Sequence, residues 1–294
     1  MANDKQYKTE WSFSFEKIGD KFGEQFGKMG ERFNTMFDSI ATDEEVKSAT
    51  YAAGLSGATS ALVELDLSIG RTTVQVGTND AANFFEADLK YVGEINFTVS
   101  GETEKVVRLR QKSDNQIGQA VKRAFKTVTR NADLRWDVRL SPSVPLKLNI
   151  EGGVGPAVVD LNGLQLTRLT MEGGVGETTV NLPEGTYPVS VEGGVGAMHL
   201  TIPDNAALRL NIEGGVGATR ITVPYKAAVR ITVDGNLGGV KMPEHFVRVK
   251  EGNDFVGNSG VWETPGFNMA EKQVVIDFEG GVGSLTVRTD VTNV

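Results

Sequence analysis

Hydrophobic and polar residues alternate with a period of two over most of the chain from Leu62 onward. Val189 and Val191 precede a bend at Val195, and Met198, Leu200 and Ile202 follow it. Leu208, Leu210 and Ile212 lead to Val216, and Thr219, Ile221 and Val223 leave it. The same frame surrounds Val154 (Leu146, Leu148, Ile150, then Ala157, Val159, Leu161) and Val175 (Leu169, Met171, then Thr178, Val180, Leu182). Around Val282 it reads Val274, Ile276, Phe278, then Leu285 and Val287. Alternation of this kind puts one face of each strand in a core and the other in water. The pattern predicts two strands per unit, with Lys147, Asn149, Ser190, Arg209, Asn211 and Arg220 facing solvent.

A repeated pentapeptide stands between the two strands. Glu-Gly-Gly-Val-Gly occupies 151–155, 172–176, 192–196, 213–217 and 279–283, and Asp234-Gly235-Asn236-Leu237-Gly238 is a degenerate sixth copy. The first four valines are 21, 20 and 21 residues apart. A corner between strands needs positive φ or close backbone approach, and glycine supplies both. The valine is expected to continue the buried column, while Pro183, Pro203 and Pro224 end strands by removing a ladder donor. One such unit cannot bury its apolar face alone, but stacking at about 4.8 Å buries a continuous core.

The predicted fold class is all-β. It is a β-solenoid-like stack, either a right-handed β-helix or a layered repeat β-sheet, of roughly 21-residue units, preceded by an N-terminal amphipathic α-helix. A sandwich of repeated hairpins is the rival packing. Leu62–Gly77 reads as a diverged unit, and further strands are expected at 84–91, 96–99 and 106–111. The gap from Leu237 to Val282 has room for one more, eroded unit and a small loop.

Two segments change the period. Residues 11–43 form three consecutive 11-residue units with Trp11, Phe22 and Phe33 at position one, Phe15, Phe26 and Phe37 at position five, and Ile18, Met29 and Ile40 at position eight. At 100° per residue these nine side chains share one narrow helical stripe, and an 11-residue period keeps that stripe nearly straight. Gly19, Gly23, Gly27 and Gly30 lower the helix propensity by about 1 kcal/mol each. Three uses fit the stripe: a coiled-coil seam for self-association, a membrane-surface helix, or docking against the β domain. The second segment, 115–130, carries Ile117, Val121, Ala124, Phe125 and Val128 at helical spacing, with Lys122, Arg123, Lys126 and Arg130 opposite. The expected division is a helical segment over 1–48 and a β domain over 49–294, with a helical insertion at 112–132.

Composition narrows the chemistry. Fifteen of the 35 glycines lie in the five pentapeptides, and the chain of 294 residues has no Cys and 2 His. Disulfides, Cys-ligated zinc and a thiol nucleophile are therefore excluded. The formal net charge of −8 opposes sequence-independent nucleic-acid binding, which needs a basic footprint. Neither an apolar secretory core at the start nor an 18-residue apolar run is present, so the expected location is the cytoplasm, with a peripheral form at the inner face of the membrane. The glycine corners are followed by strands and prolines, so they lack the helix N-terminus that a phosphate loop requires. They also lack the Asp of calcium-binding β-rolls, holding Ala157, Thr178, Met198, Thr219 and Leu285 there. No Ser-His-Asp arrangement is discernible. No catalytic residue, cofactor or metal is expected, and the chain is read as not an enzyme.

The pentapeptide glutamates Glu151, Glu172, Glu192, Glu213 and Glu279 would stack as a column of like charges. They are solvated, paired with cations, or a docking stripe for a basic partner.

The segments Trp136-Asp137-Val138-Arg139-Leu140 and Val144–Ile150, the Gly-Gly-Val-Gly copies, Asp160-Leu161-Asn162-Gly163-Leu164 and the closing Gly280–Val287 resemble the bacterial toastrack proteins and the C-terminal domain of LiaF-like cell-envelope stress proteins. The resemblance covers about three quarters of the chain, from Leu62 to Val287. It implies a non-catalytic scaffold or sensor near the cell envelope, and it carries no catalytic residues. LiaF-like proteins place transmembrane helices before this domain, where this chain has the aromatic 11-residue repeat. A protein partner, self-association into a homo-oligomer and a membrane surface contacted through residues 9–41 are the expected interactions, without nucleic acid. A self-assembling filament of the bactofilin type is the alternative.

Overall fold

The computed structural model describes residues 46–78, 82–112, 133–251 and 259–290. The expected N-terminal helix, with Trp11, Phe15, Ile18, Phe22, Phe26, Met29, Phe33, Phe37 and Ile40, lies outside the described residues, as does the helical insertion expected over 112–132 apart from Lys112. The described residues are all-β, apart from one 3-10 turn at Phe267–Met269.

The chain opens with β1 (Lys47–Ala53), β2 (Ser60–Asp66), β3 (Arg71–Val76), β4 (Phe85–Tyr91), β5 (Ile95–Ser100), β6 (Glu104–Gln111) and β7 (Arg135–Leu140). The regular units follow: β8 (Leu146–Glu151) with β9 (Ala157–Asp160), β10 (Leu166–Glu172) with β11 (Thr178–Asn181), β12 (Thr186–Glu192) with β13 (Met198–Thr201), and β14 (Ala207–Glu213) with β15 (Thr219–Pro224). The last strands are β16 (Ala228–Asp234), β17 (Val240–Lys241), β18 (Val247–Glu251), β19 (Gly260–Glu263), β20 (Gln273–Glu279) and β21 (Leu285–Asp290).

Each unit gives its first strand to one sheet and its second to the other. A ten-stranded sheet runs β1-β4-β7-β3-β9-β11-β13-β15-β21-β17, and an eleven-stranded sheet runs β18-β19-β16-β20-β14-β12-β10-β8-β2-β6-β5. Successive units pair in parallel and in register, as Leu210 does with Val189 on one side and Ile276 on the other. This is the stacked solenoid, and the rival sandwich of hairpins is excluded for the repeat units. Antiparallel pairing is confined to the ends, where β4 joins β7, β1 joins β4 and β5 joins β6, while β19 joins β16 and β18 joins β19.

The alternating apolar positions form one continuous core between the sheets. Leu148, Leu169, Leu210, Val180, Ile221 and Ile276 are fully buried, each worth roughly 1.5–3 kcal/mol of removal from water. The corner valines differ from expectation: Val154, Val175, Val195, Val216 and Val282 are half-buried. They sit in the seam between the two sheets and form single parallel bridges, Ile69–Val154–Val175–Val195–Val216–Val282–Leu237. Their role is to keep adjacent corners in register.

The glycines of the corner act in two ways. Gly196 has φ 135°, a region L side chains rarely enter. Gly194 has ordinary φ, but a Cβ there would fall on the carbonyl of Gly174 in the neighbouring unit.

Stacking order departs from chain order at both ends. The β2–β3 unit lies between β6–β7 and β8–β9, and the β20–β21 unit is inserted between β14–β15 and β16–β17. The gap from Leu237 to Val282 therefore holds no further rung of the parallel stack. It holds β17, the antiparallel pair β18–β19 and the returning strand β20. At the other end, β6 and β7 form one rung.

Candidate functional site

The candidate site is the outer face of the eleven-stranded sheet, where in-register stacking turns each sequence position into a row. The last residue of each strand before its corner is acidic. Asp66 pairs with Glu151, Glu151 with Glu172, Glu172 with Glu192, Glu192 with Glu213, Glu213 with Glu279, and Glu279 with Asp234. Strand spacing puts neighbours about 4.8 Å apart. The predicted column Glu151, Glu172, Glu192, Glu213 and Glu279 is thus brought together, and it is longer than the pentapeptides indicated. Asp66 extends it at one end, beside Arg110, and Asp234 at the other. Both could have been found in sequence, because each stands four residues before a corner glycine, Gly70 or Gly238.

The corners fix this row through the backbone. Gly173 donates to the carbonyl of Glu192 at 2.6 Å, Gly193 to that of Glu213 at 2.7 Å and Gly280 to that of Asp234 at 2.7 Å. Asp66, Glu172 and Glu192 are half-buried, and Glu151, Glu213, Glu279 and Asp234 are exposed. The positive end of the row is short: Arg110 is adjacent to Asp66, while Arg108 pairs with Glu64 in the next row.

Two further rows run parallel to the acids. Two residues back along each strand lie Glu64, Asn149, Thr170, Ser190, Asn211, Asp277 and Thr232. Four residues back lie Leu62, Lys147, Arg168, Pro188, Arg209, Val275 and Arg230. The face therefore carries an acidic stripe, a small polar stripe and a basic stripe, the outer two about 13 Å apart. Lys147 donates to Glu104 at 2.9 Å, Arg209 lies 3.8 Å from Asp277, and Arg230 donates to Glu263 at 2.7 Å while stacking over Phe267 at 4.3 Å. Sequence reading placed Lys147 and Arg209 outside but did not see the stripe, since Arg230 belongs to a degenerate unit.

Charge on the opposite sheet is paired locally. Arg139 donates to Asp88 at 2.6 Å and to Glu86 at 3.4 Å, and Thr50 donates to Asp88 at 2.8 Å. The guanidinium of Arg139, then the Thr50 hydroxyl, hold the Asp88 carboxyl below its ordinary range. His199 faces outward as expected and meets Arg220 Nη1 at 3.3 Å, while His245 packs on the ring of Tyr225 at 4.9 Å. Burial, then the hydroxyl of Tyr91, push the Tyr51 phenol up to about 12.

Among the described residues no group of three His, Asp or Glu is placed to hold a metal ion, and no helix is long and apolar enough to cross a membrane. The cavity beneath the corners, lined by Met171, Thr178, Val195 and Thr219, measures about 30 Å³. That is room for water.

No curated protein matches this chain. A solved structure of a candidate cell adhesion protein from Clostridium sporogenes superposes with a TM-score of 0.55 at 18% identity, over 84% of this chain and all of that one. A candidate adhesin from Bacteroides fragilis is matched over 84% of this chain and 99% of that one, at 11% identity and a TM-score of 0.31. The first of these supports the fold alone. A family model described as the N-terminal domain of toast_rack, DUF2154, matches residues 39–201, which spans the units β2 through β13 and the start of the acidic stripe. With more than half of its length inside that model, the chain belongs to the toast_rack family.

Proposed function

We propose that this protein is a non-catalytic scaffold or regulatory protein of the bacterial cell-envelope stress type. Its β domain docks protein partners, and its N-terminal segment tethers it to the inner face of the membrane or to copies of itself. The observation that carries the reading is the acidic stripe, seven carboxylates in register across one parallel sheet. A rigid track of charge selects a cationic partner by spacing as well as by sign. The division into a tethering segment over 1–48 and a docking domain over 49–294, with the basic insertion 112–132, follows from the same reading. The nine apolar residues from Trp11 to Ile40 would form the tether. The solved structure described as a cell adhesion protein from Clostridium sporogenes shares this fold.

A bactofilin-like filament is the second reading. It is favoured by β5 and β18, which have no strand beyond them among the described residues at opposite ends of the eleven-stranded sheet, since an unpaired edge is a template for another chain.

A ten-residue lysine peptide is the direct probe. Its binding should weaken by about tenfold or more in Glu172→Lys/Glu192→Lys/Glu213→Lys and fade as salt rises; unchanged binding overturns the docking role. Flotation with anionic vesicles, with and without residues 1–45, tests the tether, and electron microscopy of the purified chain tests the filament.

A further inference from the structure

We infer that the striped face of the eleven-stranded sheet recognises the same face of a second copy of this chain. The inference rests on the docking role proposed above and names the basic partner. Along a single strand, the basic and acidic positions are four residues apart: Lys147 and Glu151, Arg168 and Glu172, Arg209 and Glu213, Arg230 and Asp234. In-register stacking spreads these pairs into two stripes, one at each side of the face.

Consider a second copy turned by a two-fold axis along the stacking direction, so that the two faces meet. Each strand then lies over its own counterpart, running the opposite way. Glu151 meets the partner's Lys147, Glu172 the partner's Arg168, Glu213 the partner's Arg209, and each contact occurs twice. A two-fold axis along the strands would instead set acid on acid. Charge complementarity thus selects one arrangement and rejects its alternative. In the central rungs β8, β10, β12 and β14 the face carries three cations and four carboxylates in these stripes, so the charges there nearly balance.

Over the central rungs the middle stripe is also compatible with this contact, while Glu64 and Asp277 at its ends face their own copies and weaken it. Asn149, Thr170, Ser190 and Asn211 lie on the axis, and such small polar side chains let two sheets approach to about 10 Å and hydrogen-bond across. Where a rung lacks a cation, it offers Leu62, Pro188 or Val275 to the facing carbon stem of an acid. The contacts of Lys147 with Glu104 and of Arg209 with Asp277 involve half-exposed side chains, and exposed pairs of this kind exchange readily. Seven rungs by the width of three stripes make a face of about 30 Å by 20 Å, or about 1,200 Å² buried in total. That is the lower limit for a specific contact, so the dimer is weak and salt-sensitive.

Sedimentation equilibrium of the full chain tests this with a charge-swap pair. One variant, Glu151→Lys/Glu172→Lys/Glu213→Lys, has two basic stripes. The other, Lys147→Glu/Arg168→Glu/Arg209→Glu, has two acidic stripes. The wild-type chain should dimerise in low salt and weaken by about tenfold or more toward 0.3 M NaCl. Each variant alone should be monomeric, and an equimolar mixture should recover a dimer, which also establishes that both fold. A wild-type monomer at high micromolar concentration, a variant that remains dimeric alone, or a mixture that fails to associate overturns the inference. Retained binding of the lysine peptide by a monomeric wild-type chain leaves the docking role standing and removes this one; loss of both removes both.

Discussion

Replacing Gly194 by alanine tests whether backbone contact between corners, and not corner flexibility, is what the glycine repeat supplies. Gly194 has no positive φ, so the substitution adds no conformational strain of its own. The new Cβ would fall on the Gly174 carbonyl oxygen, with the carbonyl carbons of Gly173 and Gly174 at 2.8 and 2.9 Å. All three are backbone atoms of the adjacent unit, and none can rotate away. The unit must lift, and the hydrogen bonds from Val195 N to Gly174 O at 2.9 Å and from Val216 N to Gly194 O at 2.9 Å lengthen first. Two such bonds at about 1 kcal/mol each, with about 1 kcal/mol or more of overpacking strain, give about 3 kcal/mol. For a domain of this size that lowers Tm by roughly 6–12 °C. Gly239→Ala is the internal control: nothing lies within 4 Å of its Cβ position and its φ is ordinary. It should leave the melting point unchanged or raise it through the loss of unfolded-chain entropy, about 0.4–1 kcal/mol. Calorimetry of the two variants decides. A Gly194→Ala protein melting within about 2 °C of wild type, or a Gly239→Ala protein that falls as far, refutes the seam argument.

Tyr187 is buried and its hydroxyl donates to the Pro183 carbonyl at 2.7 Å, so Tyr187→Phe should lower the urea midpoint by an amount equal to about 1–2 kcal/mol without changing the slope. Asp88 has a folded-state pKa below its unfolded value, so its stabilisation is present above about pH 4 and is lost as pH falls through the depressed value. The Tm difference between wild type and Asp88→Asn should therefore be present at pH 7 and close at strongly acid pH; a difference that persists there assigns the effect elsewhere. Glu192 stacks between Glu172 and Glu213, so Glu192→Gln should raise Tm by roughly 1–3 °C at low salt and lose that gain at high salt. A lowered Tm would show that the carboxylate is held by an attraction instead.

The repeat units were legible because two local signals agreed. Alternation assigned Leu208, Leu210 and Ile212 to the core, and the pentapeptide fixed where the chain changes sheet, so the stacking register followed from aligning the copies. The ends were not legible, because stacking order there is not chain order. Nothing local in Gln273–Glu279 states that it enters between β14 and β16, because its neighbours are set by the stack as a whole and not by its own alternation. The antiparallel β18–β19 pair replaces an expected rung for the same reason, since its partner is chosen by the end of the stack and not by its own pattern. The corner valines were misjudged because period-two counting carries them inward, whereas the positive φ of the following glycine turns the chain and leaves them in the seam. Of the candidate site, the glutamate column was visible and its extension to Asp66 and Asp234 was nearly so. The basic stripe was not, because its members are separated by about 21 residues and interrupted by Pro188 and Val275.

The acidic stripe is not required by the fold. Corner geometry is set by glycine, register by the seam bridges, and the core by alternation. The acid nevertheless recurs where sequence kinship is weakest. It is present in the degenerate corner at Asp234, in the diverged unit at Asp66, and in Glu279 of the strand that enters the stack out of order. Three different routes through the chain deliver a carboxylate to the same row. Like charge delivered to one row by three routes is the pattern that the proposed docking surface predicts.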